Sequence, residues 1–212
     1  MIRFEHIDVM NLENAIRGMR NPLNSWEKSD SKRTLVKDRY EFVIGPNDLA
    51  LARKLASAGS DHRKFLRQII VSIDITAPLF WWKEFDTYKV GTVANSCSTM
   101  HKIHSKEFTR EDFSIESLDG DALTAMDNLI AALNYLRNKY NTTKDKKYWR
   151  QMIEMLPSSY NQKRTCTMSY ENLINIYFAR RYHKLHEWHT LCDLIESLPH
   201  FEDICLDGDT NE

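Results

Sequence analysis

Hydrophobic and polar residues alternate strictly along one short segment near the middle of the chain. Four aliphatic side chains occupy every second position, namely Ile69, Val71, Ile73 and Ile75. The positions between them are polar, namely Ser72, Asp74 and Thr76. Alternation with a period of two over this length predicts a β-strand with one buried face. Because proline suits the first turn of a helix, Pro78 indicates that a helix follows, with Thr76 as its cap.

The rest of the pattern predicts a mixture of strands and helices. Further extended segments are expected at Ile2–Val9, Arg39–Ile44 and Lys102–Phe113, and polar loops at Asn24–Lys37 and Asn95–Thr99. Helices are expected after a cap at Asn47 or Asp48, and at Ala122–Tyr140, Tyr148–Leu156 and Tyr170–Leu198. Ala122–Tyr140 is the clearest, since its apolar residues recur at steps of three and four. The predicted fold class is α+β, in a single domain spanning 1–212 with a frayed tail at 207–212.

Composition narrows the class of protein further. The chain has 212 residues, of which 42% are hydrophobic and 28% charged, and its formal net charge is −1. This charge gives no electrostatic reason to expect binding to nucleic acid or to a membrane. The N-terminus lacks the apolar segment of a signal peptide, and the four cysteines form no paired motif. We therefore expect a cytoplasmic protein with reduced thiols.

The last predicted helix carries the best candidate for an anion site. Its first half, Leu173–Ala179, is apolar on nearly every side except at Asn175, and Arg180 follows directly. A buried amide or guanidinium needs a partner, because leaving it unpaired is costly. Arginine commonly binds phosphate or carboxylate with two parallel hydrogen bonds. An intramolecular salt bridge would explain Arg180 equally well, so the residues alone leave both interpretations open.

Other groups of reactive residues give weaker signals. Four potential metal ligands recur every three residues, namely His183, His186, His189 and Cys192. On a helix each such step falls about 60° short of a full turn, so the four side chains spiral apart and no metal site is predicted. Cys97 could act as a nucleophile only with a base such as His101 or His104. The sequence contains no phosphate-binding glycine loop, no HExxH and no nucleophile elbow.

Several segments of the chain, taken in order, carry a resemblance to a known family. The strand that runs through Ala77–Phe80 leads into an aromatic helix. It resembles the strand of the flavin-dependent thymidylate synthases, which ends in Ala-Pro and leads into a helix bearing Arg-His-Arg. Asn172–Arg180 is similar to the family's closing helix with its Asn and Arg. Three more segments resemble features of the family in the same order along the chain. Ala15–Arg20 is similar to its early Ala-x-Arg-x-x-Arg helix, and Gly59–Phe65 is similar to its loop before the strand. Leu156–Pro157 is similar to its Leu-Pro before the last helix.

This resemblance implies a fold and an activity. The fold would have a central antiparallel sheet flanked by helices, with long C-terminal helices. The activity would be the synthesis of thymidylate from deoxyuridylate (dUMP), a pyrimidine deoxynucleotide, by a homotetramer with shared sites. Methylenetetrahydrofolate would supply the carbon and reduced FAD the hydride, with NADPH recharging the flavin. In such enzymes the cofactor carries the difficult chemistry, and the protein supplies binding and electrostatics.

The resemblance also assigns roles to individual residues. Arg180 would be the catalytic residue that contacts and polarises the pyrimidine, with Asn175 beside it in the substrate site. Ser98 and Arg150 would complete the substrate-binding set. The residues assigned to the cofactor are His62, Lys89 and Asn95.

The signature positions of the family are only partly kept. Where the family has Arg-His-Arg, this chain has Thr87-Tyr88-Lys89, which removes two guanidinium groups. In the following loop Asn95 and Ser98 match with a one-residue insertion, but the family's glutamate, arginine and tyrosine do not. Ile153 stands where the family has a nucleotide-binding arginine, with Arg150 about one turn away. Lys89 or Arg150 would replace part of the lost charge, although a lysine offers no bidentate fork.

Three interpretations therefore stay open. The first is a divergent flavin enzyme that methylates, or otherwise modifies at C5, a pyrimidine deoxynucleotide. The second is a nucleotide-binding protein of the same fold that works without catalysis or without flavin. The third is an oligomeric structural or regulatory protein that kept only the scaffold. A fold by itself does not decide among them.

Overall fold

The structure is a computed structural model that describes residues 2–36 and 38–206. Within these residues the strands are β1 (Arg3–Met10), β2 (Lys32–Val36), β3 (Arg39–Val43), β4 (Ile70–Pro78), β5 (Val93–Ser96) and β6 (Asn161–Ser169). The helices are α1 (Leu12–Gly18), α2 (Pro46–Ser57), α3 (Leu79–Phe85), α4 (Gly120–Thr143), α5 (Lys146–Met155), α6 (Tyr170–Arg180), α7 (His186–Ser197) and α8 (Phe201–Cys205). No helix among the described residues is both long and apolar enough to cross a membrane. The predicted tail at 207–212 lies outside the described residues.

The strands form two sheets. Four of them make one sheet in the order β1-β4-β6-β5, while β2 and β3 form a separate antiparallel hairpin. In the hairpin Lys32 lies opposite Val43, and Arg33 lies opposite Phe42. The predicted α+β class, with an antiparallel sheet and helices, is confirmed. The predicted polar loop at Asn24–Lys37 is wrong at Lys32–Val36, which form β2, and Lys37 lies outside the described residues.

Strand β4 follows the predicted alternation, but it ends later than expected. The side chains of Ile69, Val71, Ile73 and Ile75 are all buried. Thr76 is also buried and belongs to the strand, so its predicted role as a helix cap is wrong. Pro78 closes β4 with an extended backbone and forms the cap position of α3. The fixed φ of proline fits this backbone, in which the φ of Pro78 is −69°.

The C-terminal part of the chain differs most from the prediction. Strand β6 was not predicted, and the single helix expected at Tyr170–Leu198 is instead two helices, α6 and α7. The expected extended segment at Lys102–Phe113 consists mainly of turns, irregular backbone and one short 3-10 helix, Arg110–Asp112, and only Phe113 at its end forms a β-bridge, with Tyr160. Part of the loop expected at Asn95–Thr99 belongs to β5. The predicted helix at Ala122–Tyr140 is confirmed as α4.

The chain divides into two compact units, which we describe separately. The first comprises residues 2–5, 74–87 and 94–165, and the second comprises the described residues of 6–73, 88–93 and 166–206. In the first unit α4 and α5 pack together over a hydrophobic cluster. Its buried members are Ile103, Phe108, Phe113, Met126, Ile130, Leu133, Leu136 and Met152. The prediction of a single domain stays a prediction.

The second unit is tied together by a buried ion pair. Arg20 donates from Nε to Oδ1 of Asp48 across 2.5 Å, and both side chains are almost completely buried. Oδ2 of Asp48 accepts further hydrogen bonds from the backbone and hydroxyl of Ser31 and from the hydroxyl of Ser29. Asn47 or Asp48 was expected to cap α2, but the cap position is Gly45, and Asp30 accepts the backbone N–H groups of Asn47 and Asp48. One carboxylate thus joins three segments of chain.

The ionised form of Asp48 should stabilise this unit. Burial raises the pKa of its carboxyl, but hydrogen bonds from Ser31, Ser29 and Arg20 outweigh burial and hold the pKa below its ordinary value of 3.8. A carboxyl with a lowered folded-state pKa contributes stability above its ordinary pKa, and that contribution is lost as pH falls through the lowered value.

We predict that Asp48→Asn lowers the free energy of unfolding at pH 7 by about 3–5 kcal/mol, because it leaves the Arg20 guanidinium buried without its carboxylate. Urea unfolding at pH 7 and at pH 3 measures this. The difference between variant and wild type should shrink at the lower pH. Glu13→Gln is the matched control, since the Glu13–Arg33 pair is exposed and should matter little. Equal effects of the two substitutions would contradict the prediction.

Candidate functional site

Arg180 is the last residue of α6 and lies between aromatic groups of the second unit. Its Nε donates a hydrogen bond of 2.7 Å to the hydroxyl of Tyr88. Its guanidinium carbon lies 4.6 Å from the centroid of the Trp188 ring and 5.5 Å from that of the Tyr88 ring. The two rings meet edge to face, with their centroids 5.9 Å apart. Arg180 is therefore held by a hydrogen bond and by cation–π contacts while staying partly exposed.

Helix α6 is well suited to carry this arginine. Its N-terminus has a capping box, in which the Ser169 hydroxyl accepts from the backbone of Asn172 and the Asn172 side chain accepts from the backbone of Ser169. At the other end, a cation is favoured because the helix dipole places partial negative charge there. Buried apolar residues hold the helix in the second unit between these ends, namely Leu173, Ile174 and Ile176.

Asn175 has a different set of partners from Arg180. Its Oδ1 accepts a hydrogen bond of 3.0 Å from Nη2 of Arg63, whose Nε lies 2.8 Å from Oε2 of Glu171. Asn175 and Arg180 are five positions apart, so the two side chains leave α6 about 140° apart. The sequence expectation placed them side by side in one site. The structure shows them in separate networks on the same helix.

The other predicted residues of the second unit are His62 and Lys89. His62 lines a cavity of about 600 Å³ that also borders Met19, Leu23, Leu55, Asp61, Lys64, Phe65 and Gln68. Its lining is mainly apolar with a few polar groups, which is typical of small-molecule sites. Lys89 is exposed, and its carbonyl accepts from the backbone of Thr92 in a turn.

Three predicted site residues belong to the first unit. The hydroxyl of Ser98 accepts backbone hydrogen bonds from Met100 and His101, so it stabilises its own turn. Asn95 is exposed on β5. Arg150 donates to Glu154 one turn along α5 across 2.6 Å, and both side chains are exposed. Such exposed pairs contribute little to stability, which leaves Arg150 able to exchange its partner.

Sequence reasoning missed the residues that hold Arg180. Tyr88 was noted only as a departure from the family's Arg-His-Arg, and Trp188 was not singled out. Asn172 was also missed, although its Nδ2 donates a hydrogen bond of 2.6 Å to the carbonyl of Val90. The only signal available was the need of Arg180 for a partner, and that need does not say which residue meets it.

Neither the metal nor the nucleophile alternative gains support from the geometry. Among residues 2–36 and 38–206, no group of three or more histidine, cysteine, aspartate or glutamate side chains could hold a metal ion. Cys97 is exposed, but the two histidines proposed as its base have other neighbours. Nδ1 of His101 lies 3.0 Å from the Ser98 hydroxyl, and the ring of His104 packs edge-on against Tyr140.

The fold is that of the flavin-dependent thymidylate synthases of known structure. No protein-family model and no curated protein matches the sequence. A crystal structure of thymidylate synthase X (ThyX) from Helicobacter pylori with FAD and dUMP matches with a TM-score of 0.72 at 17% identity, covering 98% of this chain and 97% of that one. A second ThyX structure from Helicobacter pylori, complexed with FAD and dUMP, matches with a TM-score of 0.71 at 16% identity, covering 98% of both chains. At these identities the likeness shows the fold alone.

The cysteines should differ sharply in reactivity, because the thiolate is the reactive form. Burial, with Asp193 and Glu196 nearby, raises the pKa of the Cys192 thiol to about 11, and burial raises that of Cys205 to about 12. Cys166 is buried. We predict that one thiol per native chain reacts rapidly with a disulfide reagent at pH 8, and that Cys97→Ser removes this fast phase. Cys192→Ser is the control that should keep it. Two fast-reacting thiols in the wild type would contradict the prediction.

Proposed function

We propose that this protein binds a pyrimidine deoxynucleotide through Arg180, on the fold shared with the ThyX structures. The observation that carries the proposal is the fixed position of Arg180 against Tyr88 and Trp188 at the end of α6. A guanidinium that is already oriented loses little conformational freedom when a ligand binds, which favours affinity. The two ThyX structures were solved with dUMP, which makes dUMP the first ligand to test.

In this proposal Arg180 contacts the pyrimidine ring and polarises it by donating hydrogen bonds to a ring carbonyl. Asn175 and the exposed Arg150 and Ser98 are the further substrate-binding candidates. Because hydrogen bonds from charged donors are among the stronger ones, Arg180 should supply much of the affinity. The protein would act as a homo-oligomer, with a homotetramer as the expected assembly.

Flavin-dependent modification of the nucleotide at C5 is the finer form of the proposal. The cavity beside His62 supports it, because an apolar lining with a few polar groups suits a planar ring system with polar edges. His62 would lie against the ring, while Lys89 and Asn95 would bind the polar parts of FAD. A bound flavin would supply hydride, with NADPH and methylenetetrahydrofolate as co-substrates. Lys89 offers a single charge without a fork, so it replaces the family's two arginines only in part.

The nucleotide proposal predicts that Arg180→Ala weakens dUMP binding by about 10- to 100-fold, the effect of losing hydrogen bonds from a charged donor. Arg180→Lys should lose less, because it keeps the charge but not the fork. Isothermal titration calorimetry on the purified chain measures both. Arg181→Ala is the matched control: the neighbouring guanidinium lies over the rings of Phe178 and Tyr182 and should not contribute. Absence of dUMP binding to the wild-type protein would overturn the proposal and favour a structural role.

The flavin proposal predicts that the protein retains a flavin absorption band after incubation with FAD and desalting. His62→Ala should lose most of this band, because it removes the side chain that borders the cavity. His186→Ala is the control, since His186 is an exposed histidine on α7. A colourless wild-type protein after desalting would refute flavin-dependent catalysis and leave a flavin-free nucleotide binder.

A further inference from the structure

We propose that Tyr88 is the residue that positions Arg180. We name the segment Tyr88–Val93 the strap. We further propose that the strap sets this position, because hydrogen bonds join it to both ends of α6. The inference rests on the proposed role of Arg180 as the ligand-binding arginine. It adds Tyr88, Asn172 and Gly91 as positioning residues that act through Arg180.

At the C-terminal end of α6, Tyr88 fixes the orientation of the guanidinium. The Nε atom, the central carbon and both terminal nitrogens of an arginine lie in one plane. A hydrogen bond from Nε to the Tyr88 hydroxyl therefore restricts the whole group, and the face of Trp188 restricts it further. Trp188 itself is fully buried, so this aromatic surface is rigid. The hydroxyl of Tyr88 thus restrains the direction in which the guanidinium points.

At the N-terminal end of α6, Asn172 holds the strap. Its Nδ2 donates a hydrogen bond of 2.6 Å to the carbonyl of Val90. Its Oδ1 accepts from both the backbone and the hydroxyl of Ser169 in the capping box, at 3.1 and 2.8 Å. Both ends of the amide are occupied, so the side chain cannot rotate without losing several hydrogen bonds. The cap of α6 and the attachment of the strap are therefore one structure.

Gly91 lets the strap lie close against Asn172. Its φ is +77°, a backbone conformation that favours glycine. A Cβ at this position would lie 3.0 Å from Oδ1 of Asn172, closer than an ordinary contact. Any larger residue would push the strap away from α6 and carry Tyr88 with it. The close packing at Gly91 is a second reason, independent of the Tyr88 hydrogen bond, to assign the strap a positioning role.

The test follows Arg180 directly, without any ligand. The Nε–Hε resonance of Arg180 can be assigned by its disappearance in Arg180→Lys. In the wild-type protein it should exchange slowly with water, and in Tyr88→Phe its exchange should accelerate about tenfold with a change in chemical shift, the effect of losing one hydrogen bond. Phenylalanine keeps the ring that packs on Trp188, so the fold should survive. An unchanged resonance in Tyr88→Phe would overturn the inference.

The strap is tested with substitutions at Gly91 and Asn172 and with a control substitution at a second glycine. Gly91→Ala and Asn172→Ala should change the Arg180 resonance in the same direction as Tyr88→Phe. Gly120→Ala is the matched control, because Gly120 also has a positive φ, of +46°, but nothing lies within 4 Å of the added Cβ. It should leave the resonance unchanged. The same response to Gly91→Ala and Gly120→Ala would refute the role of the strap.

Nucleotide affinity then separates this inference from the proposed function. Tyr88→Phe should weaken dUMP binding about tenfold in the wild-type background and have no further effect in Arg180→Lys, because the two residues act as a unit. Equal effects in both backgrounds would show that Tyr88 acts without Arg180 and would overturn the positioning role. If the wild-type protein does not bind dUMP, the proposed function fails, and the resonance of Arg180 alone decides whether Tyr88 positions it.

Discussion

Removing a guanidinium from water is energetically costly, so a buried arginine needs partners, and such partners connect several segments of the second unit. Arg20 forms an ion pair with the fully buried carboxylate of Asp48, and the resulting network joins α2 to the segment before β2. Arg63 forms an ion pair with Glu171 and donates a hydrogen bond to Asn175, both on α6. Arg180 is placed differently, since a hydroxyl and two aromatic faces hold it at a partly exposed helix end. Arg20 and Arg63 organise the fold by joining separate segments of the chain, whereas Arg180 lies at the partly exposed end of a helix.

The fold could be predicted where burial alone decides the pattern. Strand β4 and helix α4 place apolar residues on their inner faces, so their periods of two and of three to four were visible in the sequence. Strand β6 has the same alternation, with Cys166 and Met168 buried, but Gln162 and Arg164 also fall on that side. The partners of these two polar side chains are distant in the sequence. Gln162 donates a hydrogen bond to the carbonyl of Cys97. Arg164 pairs with Asp86, and its guanidinium lies over the Trp82 ring. Because these partners lie elsewhere in the sequence, the local pattern of apolar and polar residues does not predict the strand.

The break between α6 and α7 was invisible for a related reason. No glycine or proline marks the segment from Arg181 to Leu185, and its residues are acceptable in a helix. The chain turns there because side chains replace the helical hydrogen bonds. The backbone N–H of Leu185 donates to the ring of His183, and the ring of His189 lies 2.6 Å from the carbonyl of His183. This turn allows Trp188 of α7 to contact Arg180 near the end of α6.

In the candidate site, too, the sequence predicts only what depends on neighbouring residues, and it does not predict contacts between distant ones. Arg180 could be selected from the sequence because a charged residue after an apolar helix needs a partner, but Tyr88 lies 92 positions earlier and no spacing connects the two. A chain at 17% identity can keep the fold of the ThyX structures because a fold depends on which positions are buried. A site depends on which groups meet, and here the hydroxyl of Tyr88 meets the guanidinium of Arg180. Under the proposed function, the activity would depend on how Tyr88 and its neighbours hold Arg180, and the fold would only provide the place where they meet.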